Sequence, residues 1–286
     1  MLDVLTLLAA LAISPPAQDT GRIERDVAYV PGGGHRQQLD LYLPAGRGFP
    51  TVLLIHGGSL TTGDRTEEPY TSACLPFRAA GIGCAAMSYR LLPGDRWPAP
   101  ALDAAAAYDW LVRSLPARGG APSRVFLVGH SSGCLLASLL ATDPKYLRAI
   151  NRSPAELPGV VAMGCRLANE PDTAGVPPER IRAAFASHPD YMGFGSLETL
   201  FDIVPLGHVG PGMPRMLVLI AETEQEQPPI LADARRFEEA AKKVGAPVEI
   251  VILPGRTHMS SVARLGEPDD LAFRRIRELI AGADRR

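Results

Sequence analysis

Neither sign of charge predominates in this 286-residue sequence: 29 Lys and Arg stand against 31 Asp and Glu, for a net charge of −2. A nucleic-acid-binding protein carries a basic face, and so even a balance argues against one. Twenty-six of the 29 basic residues are Arg, which reads as compositional bias rather than a phosphate-binding patch. Low net charge with 46% hydrophobic residues excludes a disordered chain. Gly (28) and Pro (27) show no period, which excludes a collagen-like repeat and fits a fold with many sharp loops. Cysteine is scarce. Cys74, Cys84, Cys134 and Cys165 match neither a zinc pattern nor a C-x-x-C redox motif, and four in a chain this long are expected as buried thiols. No His/Cys/carboxylate cluster has ligand spacing, so no metal or cofactor is expected.

No apolar stretch reaches membrane-spanning length. The apolar stretch 4–13, about ten residues, is too short for a stable membrane span and suits a signal-peptide core. Ser14-Pro15-Pro16-Ala17 follows, giving a signal peptide over 1–17 and an exported mature chain starting near Gln18. Asp3 and the lack of Lys or Arg before the run leave cytoplasmic residence as the alternative. Export would permit a disulfide. Cys134 opens the helix after a core strand and Cys165 ends the next strand, which makes them the candidate pair.

What is present is an alternation of two periods. Continuous apolar strands are read at 51–55, 82–89, 125–128, 160–163, 216–221 and 248–253, with an alternating one at 39–43. Helical spacing is read at 101–115, 132–141, 230–244 and 268–281. Apolar strands between amphipathic helices indicate an α/β fold: a mostly parallel central sheet with helices on both faces, in a single domain over 18–286. Residues 166–214, rich in Pro and Gly and without a strong strand, read as a cap-like insertion over the carboxyl ends of the strands, where such folds bind ligands.

Gly129-His130-Ser131-Ser132-Gly133 follows the strand 125–128 directly and precedes a helix. In that context G-x-S-x-G describes a nucleophile elbow: glycines two residues either side let strand and helix approach, exposing the Ser131 hydroxyl. His56-Gly57-Gly58-Ser59 follows another core strand. The backbone N–H groups of Gly57, Gly58, Ser59 and Ser132 are the expected oxyanion hole, with His56 ordering the loop. Of six histidines, His258 is the one on a loop directly after a late core strand, and it is the expected base. Asp95 and Asp103 read as structural.

These segments resemble the α/β-hydrolase superfamily, in its HGG-type carboxylesterase/lipase branch of hormone-sensitive-lipase-like and feruloyl-esterase-like enzymes. The likeness runs from about residue 39 to 280. LDLYLP is similar to the family's opening strand, and HGGSLTTGD to its HGG-x-W-x-x-GD segment. SYRLLPGDRWPAPALDAAAAYDWL resembles the YRL-x-P…FPA…D-x-x-A-x-x-WL stretch, and VGHSSG and LPGRTH resemble elbow and base loop. Ser59 and Leu60 depart from the usual glycine and aromatic. The acid loop departs too: it reads Ala221-Glu222-Thr223-Glu224-Gln225-Glu226 where the family has G/A-E-x-D. The resemblance places Glu224 at the family's Asp, with Glu226 in reserve and Glu222 as a supporting residue.

The implied activity is cleavage of small-molecule carboxylic esters through an acyl-enzyme, with a Ser131-His258-Glu224 triad. Amide hydrolysis of an arylformamide by the same triad is one alternative. A catalytically silent α/β-hydrolase fold used as a binding module is the other.

Overall fold

The computed structural model describes residues 21–168, 177–225 and 229–283. The signal-peptide expectation for 1–17, part of the insertion (169–176) and Glu226 lie outside the described residues. The apolar runs form strands β2 (Gln38–Leu43), β3 (Phe49–Ile55), β4 (Gly83–Met87), β5 (Gly120–His130), β6 (Val160–Met163), β7 (Met216–Ala221) and β8 (Val248–Leu253). A further strand, β1 (Arg22–Ala28), precedes them. All eight join one sheet in the order β1-β2-β4-β3-β5-β6-β7-β8, antiparallel at β1–β2 and β2–β4 and parallel elsewhere.

Alternate residues of each central strand enter different cores, as a sheet buried on both faces requires. Leu53, Ile55 and Leu127 pack under α2 (Ala99–Arg118), α3 (Ser132–Thr142) and α7 (Ile230–Lys243). Val52, Leu54 and Phe126 pack with α1 (Glu68–Ala79) and α9 (Leu271–Gly282). The expected architecture is borne out. No described helix is long and apolar enough to cross a membrane.

β1 and α1 are among the elements that the sequence periodicity does not mark. β1 is mostly exposed and charged; Arg25 pairs with Asp40 at 2.7 Å and Glu24 with Arg118 at 2.9 Å. In α1 the buried residues Tyr70, Ala73, Cys74 and Phe77 have helical spacing, but Pro69 and Pro76 mask it. Pro76 lies inside the helix and removes the N–H that would donate to the Ser72 carbonyl, so α1 forms in spite of it.

The expectation of four buried thiols is corrected. Cys74 is bonded to Cys84, joining α1 to β4 with Cα atoms 5.3 Å apart, and Cys134 to Cys165, joining α3 to the end of β6 at 5.8 Å. Parallel pairing of β5 with β6 brings the second pair together. The first pair was hidden because α1 was. Short helices α4 (Pro144–Arg148) and α8 (Ser260–Ala263) follow α3 and β8; between β6 and β7, α5 (Pro178–Ser187), α6 (Leu197–Asp202) and two 3-10 turns cross the carboxyl end of the sheet.

Candidate active site

Ser131 stands alone between the last residue of β5 and the first of α3, with φ 54° and ψ −122°. A side chain is strained there, by about 1–3 kcal/mol. Packing dictates the flanking glycines: a Cβ on Gly129 would lie 2.2 Å from the Gly133 carbonyl oxygen, and one on Gly133 2.1 Å from that of Ile55. The Ser131 N–H donates to the Met163 carbonyl at 2.8 Å, which ties the turn to β6.

His258 lies on the loop after β8, and Glu224 ends a single 3-10 turn (Glu222–Glu224) after β7. His258 Nδ1 donates to Glu224 Oε1 at 2.5 Å, and the Ala221 N–H donates to Glu224 Oε2 at 3.1 Å. Burial raises the Glu224 pKa, but these hydrogen bonds and the nearby imidazoles outweigh it and hold the carboxyl below its ordinary range. Glu222 is turned elsewhere, accepting the Gly255 N–H at 2.9 Å. Gly164, which belongs to no motif, makes room for the pair. A Cβ there would lie 3.1 Å from His258 Nδ1 and 3.3 Å from Glu224 Oε1, and φ is +68°.

The loop after β3 departs from expectation at one position. The Gly57 N–H donates to the buried Tyr70 hydroxyl at 2.7 Å, so it faces away from the substrate side and Gly57 is removed from the expected oxyanion donors. Gly58, Ser59 and Leu60 follow with φ of +113°, +54° and +64°, a left-handed run that turns the chain sharply. Among the described residues no hydrogen bond takes up the N–H of Gly58 or Ser59. Ser132, first residue of a helix, has no intrahelical acceptor for its own. His56 orders the loop as expected: Nδ1 donates to the Gly57 carbonyl at 2.6 Å and the ring stacks on Tyr89 at 4.2 Å. Burial lowers its pKa to about 4, so it stays neutral. Asp103 is structural, accepting from the Arg90 N–H and guanidinium and from Gln37. Asp95 is a peripheral partner of the same Arg90, at 3.8 Å.

Ser59, Ser131 and Ser132 open into a cavity of about 460 Å³ whose far wall, from the insertion, includes Tyr191, Leu200 and Val204. The lining is mixed: Leu135, Leu200, Ile203 and Val204 can take an acyl or alkyl group beside a reacting carbonyl, while the serines and Arg166, which is paired with Asp233, are polar. Among the described residues no group of three or more His, Cys, Asp or Glu could hold a metal ion.

Residues 52–261 match the α/β hydrolase fold family, and the chain belongs to it. Within that family it falls in the carboxylesterase branch. An ethyl acetate hydrolase of Pseudomonas putida is 28% identical over 245 residues, 82% of this chain and 74% of that protein. The esterase LipU of Mycobacterium tuberculosis is 28% identical over 251 residues, 83% of this chain and 78% of its own. Among solved structures, a truncated carbohydrate esterase from gut microbiota shares the fold with a TM-score of 0.72 at 18% identity. That match covers 96% of this chain and 100% of the other.

Proposed function

We propose that this carboxylic ester hydrolase works through an acyl-enzyme, with Ser131 as nucleophile, His258 as base and Glu224 as the orienting acid. The carrying observation is the buried Glu224 carboxylate on His258 Nδ1. Because Nδ1 holds the proton against Glu224, Nε2 is left as the acceptor. His258 Nε2 takes the Ser131 proton as Oγ attacks the ester carbonyl. The oxygen of the tetrahedral intermediate is held by the N–H groups of Gly58, Ser59 and Ser132. The same proton then goes to the departing alkoxide, leaving the acyl group on Ser131. Water repeats the sequence, releasing the acid and restoring the serine.

The leucines, Ile203 and Val204 lining the cavity and the Pseudomonas putida relative's name favour small esters. A fluorophosphonate probe should label the wild type and leave Ser131→Ala unlabelled, inactive on p-nitrophenyl esters and folded. A folded wild type that is neither labelled nor active on any short ester or aryl formamide would hand the fold to the binding-module reading. We also place the chain in an oxidising compartment, a reading supported by its two disulfides. Protein recovered after native expression should begin near Gln18, and an intact mass retaining Met1 would reverse that placement.

A further inference from the structure

Two buried side chains beside Ser131 take no part in the scheme above. Tyr70, on the buried face of α1, and His130, the residue before the nucleophile, are 3% and 1% exposed. The Tyr70 hydroxyl accepts the Gly57 N–H at 2.7 Å and lies 3.3 Å from His130 Nδ1. On the other side of the ring, His130 Nε2 lies 3.0 Å from the carbonyl oxygen of His258. A carbonyl only accepts, so Nε2 carries the proton and Nδ1 accepts from Tyr70. The result is an unbroken path: Gly57 N–H to Tyr70 O–H, Tyr70 to His130, His130 to the backbone of His258. It requires a neutral imidazole, and burial, reinforced by the neighbouring His258, lowers the His130 pKa to about 4.

We infer that Tyr70 and His130 are positioning residues for the hydrolysis, a hydrogen-bonded strut that holds the oxyanion loop and the base loop in fixed relation across Ser131. The inference rests on the reading that Ser131, His258 and the Gly58 and Ser59 N–H groups act on the substrate. At one end the strut pins the Gly57 peptide backwards, which leaves the next two N–H groups to face the cavity. At the other end it grips the His258 carbonyl, which also accepts the Ser261 hydroxyl at 2.6 Å, while Glu224 grips the side chain. The components converge on one point. A Cβ added to Gly57 would lie 2.8 Å from Ser131 Cβ, 3.1 Å from the Tyr70 hydroxyl and 3.2 Å from His130 Nδ1.

Such a strut has a kinetic purpose. Proton transfer to His258 and charge build-up at the oxyanion occur in the same transition state, so both loops must be correct together. A misplacement of about 1 Å in either costs on the order of a hundredfold in rate.

The test uses Tyr70→Phe, His130→Gln, His130→Leu and the doubles, with kcat referred to sites titrated by a fluorophosphonate. Tyr70→Phe and His130→Leu should each lower kcat about ten- to a hundredfold, with KM within about threefold of wild type. His130→Gln keeps an N–H near the His258 carbonyl and should retain more turnover than His130→Leu. The double Tyr70→Phe/His130→Leu should fall no more than about threefold below its worse parent, because a path cut once is already cut. If His130→Leu does not fold, Tyr70→Phe with His130→Gln supplies the same cycle. Losses that multiply, or wild-type kcat per titrated site with only a lower melting temperature, overturn the inference. Ser131→Ala run alongside separates the two levels. If it is inert and the wild type is labelled, a normal Tyr70→Phe refutes the strut alone. If it is active, the parent reading falls and the strut with it.

Discussion

Replacing Glu224 by Gln changes one atom and should nearly abolish turnover. In the wild type, Oε1 accepts from His258 and Oε2 accepts from the Ala221 N–H. A glutamine in the same place has one acceptor for these two donors. If its oxygen stays on the Ala221 N–H, its amide nitrogen faces His258 Nδ1. The imidazole must then carry its proton on Nε2, the atom that has to accept from Ser131. The opposite amide orientation sets two donors against each other in a buried site, at about 1–3 kcal/mol. That alone cuts the productive tautomer roughly 5- to 150-fold. Loss of the negative charge beneath the forming imidazolium adds more. The analogous change in serine proteases costs about 10⁴ in kcat, or roughly 5 kcal/mol of transition-state stabilisation. We expect a loss of about 10³ to 10⁴ in kcat on p-nitrophenyl butyrate, little change in KM, and no recovery between pH 6 and 9, since the defect is a tautomer. Glu222→Gln and Glu226→Gln should stay within about tenfold of wild type. A Glu224→Gln enzyme within tenfold of wild type refutes the assignment, and a collapse of Glu226→Gln would relocate the acid two residues along.

Further expectations follow from burial, strain and loop closure. His56 and His130 each fall from 6.5 to about 4 in the fold, so the unfolded chain binds more protons between those values and stability rises with pH across that window. At about 1.4 kcal/mol per pH unit each is worth roughly 3 kcal/mol, and urea midpoints should drop steeply from pH 7 to 5; a flat profile would contradict the burial of both rings. Ser131→Gly should melt higher than Ser131→Ala, because only glycine relaxes at φ 54°, and equal melting temperatures would deny strain at the elbow. The disulfides span sequence separations of 31 and 10, which loop entropy converts to about 3.7 and 2.7 kcal/mol. Cys134→Ser/Cys165→Ser should therefore lose more stability than Cys74→Ser/Cys84→Ser, and the reverse order would show that native packing dominates over loop length.

The parallel part of the fold was legible because strands buried on both faces are short apolar runs that alternate with amphipathic helices. β1 was not, since a charged edge strand lacks that contrast, and α1 was punctuated by prolines. At the site, Ser131 and His258 could be picked out because an elbow and a post-strand loop are local patterns. Tyr70 could not: it meets Gly57 and His130 only after α1 has docked, and no spacing in the sequence encodes that. Gly57 was misassigned for the same reason, as the direction of its N–H is decided by a partner thirteen residues away. One signal was available. Tyr70, Ala73, Cys74 and Phe77 share a helical stripe, and a stripe starting at a tyrosine so soon after the HGG loop invites the question of what its hydroxyl meets.

The charged strand β1 also governs how this molecule meets others of its kind. An open sheet has two unpaired margins, each a template on which a foreign strand can grow. Here the outer margin carries Arg22, Glu24, Arg25 and Asp26 and is kinked by a register shift between Glu24 and Val27. At the opposite margin β8 presents Glu249, tied to Arg275 of α9. The β1 border is neither flat nor apolar, whereas β8 is apolar apart from Glu249, so protection against strand-on-strand association is strongest at the β1 margin. An engineer who trimmed residues 21–28 as decoration would expose β2, whose side chains are nearly all buried, as the new border. Solubility would be lost well before catalysis.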